Sequence, residues 1–332
     1  MVDERKRTEP TGSLRVSPRA PLVVAVTLAL VIGAGGCGSQ SQTRSPGYDA
    51  GSSVSFNTAD SDPDWSPDGR LIAFSTNRGR SGGIYVIRPD GTAMRRVFKG
   101  EASDVDWSPD GTAIAFARKG IYVMRVRNGK PRLVVQGVLS RPTWASNGGE
   151  LAVVNEETGR YRTYDGWISG SSSAIYIVRL DGSGVRRLLP RYRGAMGDAR
   201  ADSIAALSET EPAWSPDGTR IAFQAGDGVI VTADAKSGRR ITISGSGAAY
   251  EPAWSPDGSL IAYRCGGDVC VGSDERRVAS GGGDPSWSPD SKFLVFDHAL
   301  YGGTGYFSRP SSLSIVDVNN EELRELTFGP SS

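Results

Sequence analysis

Pro63-Asp64-Trp65-Ser66-Pro67-Asp68-Gly69-Arg70-Leu71-Ile72-Ala73-Phe74 joins a tight turn to a short apolar strand, and the chain spells that joint six times. The Trp-Ser-Pro-Asp-Gly core recurs unchanged at Trp107–Gly111, Trp214–Gly218 and Trp254–Gly258. It drifts to Trp144-Ala145-Ser146-Asn147-Gly148 and to Trp287-Ser288-Pro289-Asp290-Ser291. Proline presets φ for the second position of a type I turn, Asp or Asn suits the next, and Gly accepts the left-handed conformation that closes a bulged hairpin. Each copy therefore predicts strand, turn, strand.

Working outward, the turn is followed by Leu71–Phe74, Ala113–Phe116, Leu151–Val154, Ile221–Phe223, Leu260–Tyr263 and Phe293–Phe296. A second apolar strand follows at Ile84–Ile87, Ile121–Met124, Ile175–Val178, Val229–Val231, Val269–Val271 and Leu313–Val316. A polar-flanked outer strand closes each unit at Arg95–Phe98, Arg132–Val135, Arg186–Leu189, Arg239–Ile243, Arg276–Ala279 and Leu323–Phe328. Tryptophan spacings of 42, 37, 70, 40 and 33 residues, with four strands per unit, have the period of propeller blades. The expectation is an all-β chain, a six-bladed β-propeller of four-stranded antiparallel blades over residues 54–329.

The repeats resemble the TolB-type, WD-like propeller repeat, Pro-x-Trp-Ser-Pro-Asp-Gly followed by Ile-Ala-Phe and Ile-Tyr-Val, over residues 60–329. The resemblance implies a propeller that binds peptides or proteins. Such propellers also sit in peptidases and in unrelated binding proteins, so function must be argued from the site. TolB itself couples a propeller to a preceding domain and binds a peptidoglycan-associated lipoprotein; here a signal and a tether stand before the first blade.

Residues 1–36 carry Arg5, Lys6, Arg7, Arg15 and Arg19, then an apolar and small-residue run from Pro21 that ends Ala34-Gly35-Gly36 before Cys37. That reads as an export signal with a lipobox-like end, with Ala34 where Leu is usual and Cys37 as the lipidated residue. A single transmembrane anchor or an ordinary secretory signal are the alternatives, and the run is marginal against the roughly 20 residues a spanning helix needs. Residues 37–53 are rich in Ser, Gly and Gln and read as a flexible tether. The expected location is extracytoplasmic, membrane-anchored, in the periplasm or cell envelope, as a monomer.

Without the export segment, 33 bases face 34 acids, and this balance speaks against nucleic acid as a partner. Cys265 and Cys270 flank a short strand link, which in an exported protein suggests a cross-hairpin disulfide. One histidine, His298, excludes a His-based metal centre, and no Gly-x-Ser-x-Gly elbow is present. The chain ends at Ser332, so no hydrolase domain of the prolyl oligopeptidase type is expected after the last blade. No catalytic residue and no cofactor are assigned.

Two groups of candidate binding residues stand out. Three insertions, 155–173, 191–210 and 297–311, fall on the side opposite the tight turns and carry Arg160, Tyr161, Arg162, Tyr164, Trp167, Arg191, Tyr192, Arg193, His298, Tyr301 and Tyr306. Arginine and aromatic residues dominate binding hot spots, so this face suits a protein or peptide partner, or a glycan stacked on the rings. Three residues before each tryptophan stand Asp62, Asp104, Arg141, Glu211, Glu251 and Asp284, at the expected channel mouth. They could attract a cationic segment, hold Ca²⁺ in a lactonase-like site, or each bond backbone amides of a neighbouring blade. Trp65, Trp107, Trp144, Trp214, Trp254 and Trp287 are expected to pack structurally between blades.

Overall fold

The computed structural model describes residues 15–16, 59–78, 82–163, 166–189, 208–226, 228–242, 248–299 and 311–327. The export segment beyond Arg15–Val16, Cys37 and the tether lie outside them.

The described strands form six antiparallel sheets, each built from four strands consecutive in sequence. Blade one is β2 (Asp60–Trp65), β3 (Ile72–Thr76), β4 (Gly83–Ile87) and β5 (Arg95–Lys99). Blade two is β6 (Ser103–Trp107), β7 (Ala113–Ala117), β8 (Gly120–Arg125) and β9 (Arg132–Gln136), with β1 (Arg15–Val16) paired on its outer edge. Blade three is β10 (Leu139–Trp144), β11 (Glu150–Thr163), β12 (Gly166–Arg179) and β13 (Val185–Arg187). Blade four is β14 (Glu209–Trp214), β15 (Arg220–Ala225), β16 (Val229–Asp234) and β17 (Arg240–Thr242). Blade five is β18 (Ala249–Trp254), β19 (Ile261–Cys265), β20 (Asp268–Val271) and β21 (Arg276–Ala279). Blade six is β22 (Gly282–Trp287), β23 (Phe293–Ala299), β24 (Ser311–Asp317) and β25 (Leu323–Glu325).

The turn motif works through its serine and aspartate. Ser66 Oγ donates to Asp68 Oδ1 at 2.7 Å and accepts from Leu71 N at 2.9 Å, while Arg70 N donates to the same carboxylate at 3.0 Å. The pattern repeats at Ser108/Asp110, Ser215/Asp217, Ser255/Asp257 and Ser288/Asp290. These hydrogen bonds, the serine's first, hold the aspartates below their ordinary range, Asp217 at about 2. Gly69 sits at φ 70°, a left-handed value that Gly adopts without steric cost.

Each tryptophan packs onto the blade before its own. Trp107 joins Ala73, Ile84 and Val86 of blade one, Trp287 joins Val269 and Val271 of blade five, and Trp65 joins Val295, Leu313 and Ile315 of blade six. Five of the six are buried, and Trp254 is half-buried. Trp107 Nε1 donates to Asp64 O at 3.2 Å and Trp287 Nε1 to Ala253 O at 3.1 Å, both across a blade boundary.

The same packing closes the ring between blades six and one. Ser286 Oγ donates to Asp64 Oδ1 at 2.8 Å and accepts from Trp65 N at 3.2 Å. Ser311 Oγ donates to Asp60 O at 2.7 Å, beside a parallel bridge from Ala59 to Ser311. Among the described residues no strand is exchanged between these two sheets, each of which takes its four strands from its own stretch of chain.

Candidate functional site

The innermost strands β2, β6, β10, β14, β18 and β22 surround a channel of ≈ 510 Å³, lined by the charged residues toward one end and by tryptophans and turn prolines toward the other. Each inner strand breaks register two or three residues before its tryptophan, as between Ser61 and Asp64. At that bulge Asp62, Asp104, Arg141, Glu211, Glu251 and Asp284 all take φ between 46° and 56°. Left-handed backbone is costly for these residue types, and a bulge re-aims the side chain it carries. Here it turns six charged side chains into the channel.

The carboxylates answer that cost by bonding amides of the next blade. Asp62 accepts from Asp104 N at 3.0 Å, Asp104 from Arg141 N at 3.2 Å, Glu211 from Glu251 N at 2.5 Å, and Glu251 from Asp284 N at 2.8 Å. Arg141 has no carboxylate to pass on. Its guanidinium instead crosses the channel, donating to Asp284 Oδ1 at 2.5 Å and lying 3.3 Å from Asp104, 3.7 Å from Asp62 and 3.9 Å from Glu211. Arg264 Nη1 meets Glu251 at 3.3 Å.

Burial is the main electrostatic effect. It raises Asp104, with the neighbouring Asp62 charge adding to it, and raises Glu251, with Glu211 adding to it. Burial also lifts Asp284 well above the ordinary carboxylate range despite the Arg141 charge. The four carboxylates in turn fix Arg141 as a cation, Asp284 foremost.

Three further half-buried carboxylates belong to this region and were not singled out from the sequence. Asp297, at the loop-face end of β23, is pushed to about 7 by burial and then by Asp284 and Asp62. Asp64 is raised to about 6 by burial, offset by bonds from Trp107 N and Ser286. Asp106 is raised well above its usual value by burial and by Asp64, and accepts from Trp144 N at 2.7 Å. The signal for the last two was their place directly before a tryptophan on an inner strand.

Of the three insertions, 155–173 rises on the face opposite the tight turns, while 191–207 and 300–310 lie outside the described residues. Residues 155–173 were read as a loop, but β11 and β12 continue through them as a regular ribbon, paired from Glu150↔Arg179 out to Thr163↔Gly166. Arg160, Tyr161 and Arg162 lie opposite Ser169, Ile168 and Trp167 in that register. At its base Tyr176 Oη donates to the buried Glu157, which Arg187 Nε meets at 3.3 Å. Beside it the buried Glu209 pairs with Arg240 at 2.8 Å. His298 lies at the same face, with Ser314 Oγ 3.4 Å from its Nδ1. Tyr164, Arg191, Tyr192, Arg193, Tyr301 and Tyr306 lie outside the described residues, as do the side chains of 159–168.

Cys265 and Cys270 are joined by a disulfide, Cα–Cα 5.9 Å, across the β19–β20 hairpin on that face. A second cavity of ≈ 700 Å³ opens there between blades one and two, lined by Ser61, Ser75, Ser103, Ser140, Arg118 and Lys119 among others. Among the described residues no group of three or more His, Cys, Asp or Glu is arranged to hold a metal ion.

Residues 49–175 match the family model described as the TolB beta propeller domain. Among solved structures the chain is similar to TolB from Acinetobacter baumannii, at TM-score 0.56 and 18% identity over 80% of this chain and 62% of that one. The putative TolB from Agrobacterium tumefaciens follows at TM-score 0.54 and 20% identity, covering 71% of this chain and 84% of that one. An oligogalacturonate lyase in complex with manganese reaches TM-score 0.51 at 12% identity, covering 80% and 91%. At these identities the likeness is one of fold. No curated protein matches the chain.

Proposed function

We propose that this chain, which carries a TolB-like six-bladed propeller, is a non-catalytic binding module of the cell envelope, held at a membrane through lipid on Cys37. It takes a protein or peptide partner on the face opposite the tight turns. The observation that carries the reading is the blade-three ribbon, a 14-residue strand on each side, which rises from that face. A two-stranded ribbon in water is marginal unless its base is fixed, and Glu157, Tyr176 and Arg187 fix it there. Rigid projection of Arg and aromatic positions is what a recognition surface requires.

The channel fits the same reading. Arg141 supplies the positive charge that a calcium ion would bring to the acids, so the ring has a structural role without metal. The experiment is cross-linking of the native protein in intact cells, compared with a variant in which residues 159–170 are replaced by an Asn-Gly turn. A partner captured by the native chain and lost with the ribbon is expected. Equal capture by both would move the site off the ribbon, and calcium-dependent binding abolished by chelator and by Glu211→Gln would favour the lactonase-like alternative.

A further inference from the structure

Formal charge is balanced along the whole chain but not around the disc. Between Asp110 and Glu150 no acidic residue occurs, while seven Arg or Lys do. One of them, Arg141, is the channel cation; the others are exposed on blade two. Four cluster at the β8–β9 turn and its flanks: Arg125, Arg127, Lys130 and Arg132. Among the described residues none of these four has an ion pair.

Blade one extends the cluster through register. Arg95 opposes Val86 of β4 as Arg132 opposes Val123 of β8, so the two arginines hold equivalent places on adjacent outer strands. Arg96 follows, and both are exposed. Blade six, the other neighbour of blade one, shows the reverse, with Asp317, Glu321, Glu322 and Glu325 around Arg324. The sign of the rim charge therefore reverses between blades one and two and the adjoining blade six.

We infer that the blade-one and blade-two edge rests on an anionic lipid surface and orients the tethered disc against it. This rests on the membrane-held reading proposed above. The six cations lie on turn and outer strand and line neither the channel nor the second cavity, and such an arrangement suits a flat, diffuse anionic surface. With this edge against lipid, the ribbon face is left open to a partner.

The test uses the full chain on vesicles of phosphatidylcholine alone and of phosphatidylcholine with phosphatidylglycerol, read by amide exchange in the 125–132 segment. Exchange there should slow on the anionic vesicles only and recover at high salt. The variant Arg125→Glu, Arg127→Glu, Lys130→Glu should lose the effect, a change in surface partition of about 100-fold at roughly fivefold per cation. The variant Lys236→Glu, Arg239→Glu, Arg324→Glu, on other blades, should keep it. Equal exchange on both vesicles would overturn the inference, as would protection by polyglutamate or DNA in place of lipid. Flotation with phosphatidylcholine vesicles separately reads the anchor, so failure of the tether and failure of the basic edge are told apart.

Discussion

A carboxyl buried beside two others holds its proton more tightly than one in water, and Asp297 is placed in that way next to Asp284 and Asp62. Its value moves from 3.8 to about 7, and that of Asp64 to about 6, both chiefly through burial. A carboxyl raised in the folded state contributes stability at low pH that is lost as pH climbs through the folded value. The melting temperature should therefore fall between about pH 4 and pH 7, and Asp297→Asn should flatten that slope and stabilise the protein at pH 8. A wild-type profile that rises over this window would contradict the assignment. Arg141→Leu is expected to cost about 3 kcal/mol by denaturant unfolding at pH 8, since it strips the counter-charge from Asp284, Asp104 and Asp62. The loss should shrink at pH 5, where the acids can protonate instead.

At the level of the element, the tight turn is the unit most plainly written in the chain, because its serine and aspartate satisfy their own backbone. Ser215→Ala removes a donor to Asp217 and an acceptor for Arg220 N, and should cost about 1 to 2 kcal/mol in equilibrium unfolding. Opening the Cys265–Cys270 bridge should cost about 2 kcal/mol, the chain-entropy value for so short a loop, and Cys265→Ser with Cys270→Ser measures it. The ribbon was harder to read. Residues 156–173 lack the apolar alternation that marks a half-buried strand, because a ribbon standing clear of the blade need not bury one face. Asp165-Gly166 between two runs was the available hairpin signal. The six charged residues before the tryptophans were legible as a set, since the repeat aligns them. That Arg141 would reach across to Asp284, and that Asp297 would join them, depends on which way each strand faces, and only the closed ring decides that.

For the whole molecule, stability is shared across boundaries between blades. Trp287→Ala should cost roughly 3 to 5 kcal/mol, as it empties a buried site between blades five and six and strands the Ala253 carbonyl. Calorimetry should show one cooperative transition moved downward, since each boundary supports both neighbours. Among the described residues blades six and one share no strand and meet through Trp65 packed on Val295, Leu313 and Ile315, Ser286 with Asp64 and Trp65, and Ser311 with Asp60. A tension arriving at Ala59 from the N-terminal side is thus delivered straight to that seam. Because β2 forms one side of the seam, pulling on the chain N-terminal to Ala59 is expected to open the channel there before a blade unravels, and single-molecule force extension would read the order of the two events.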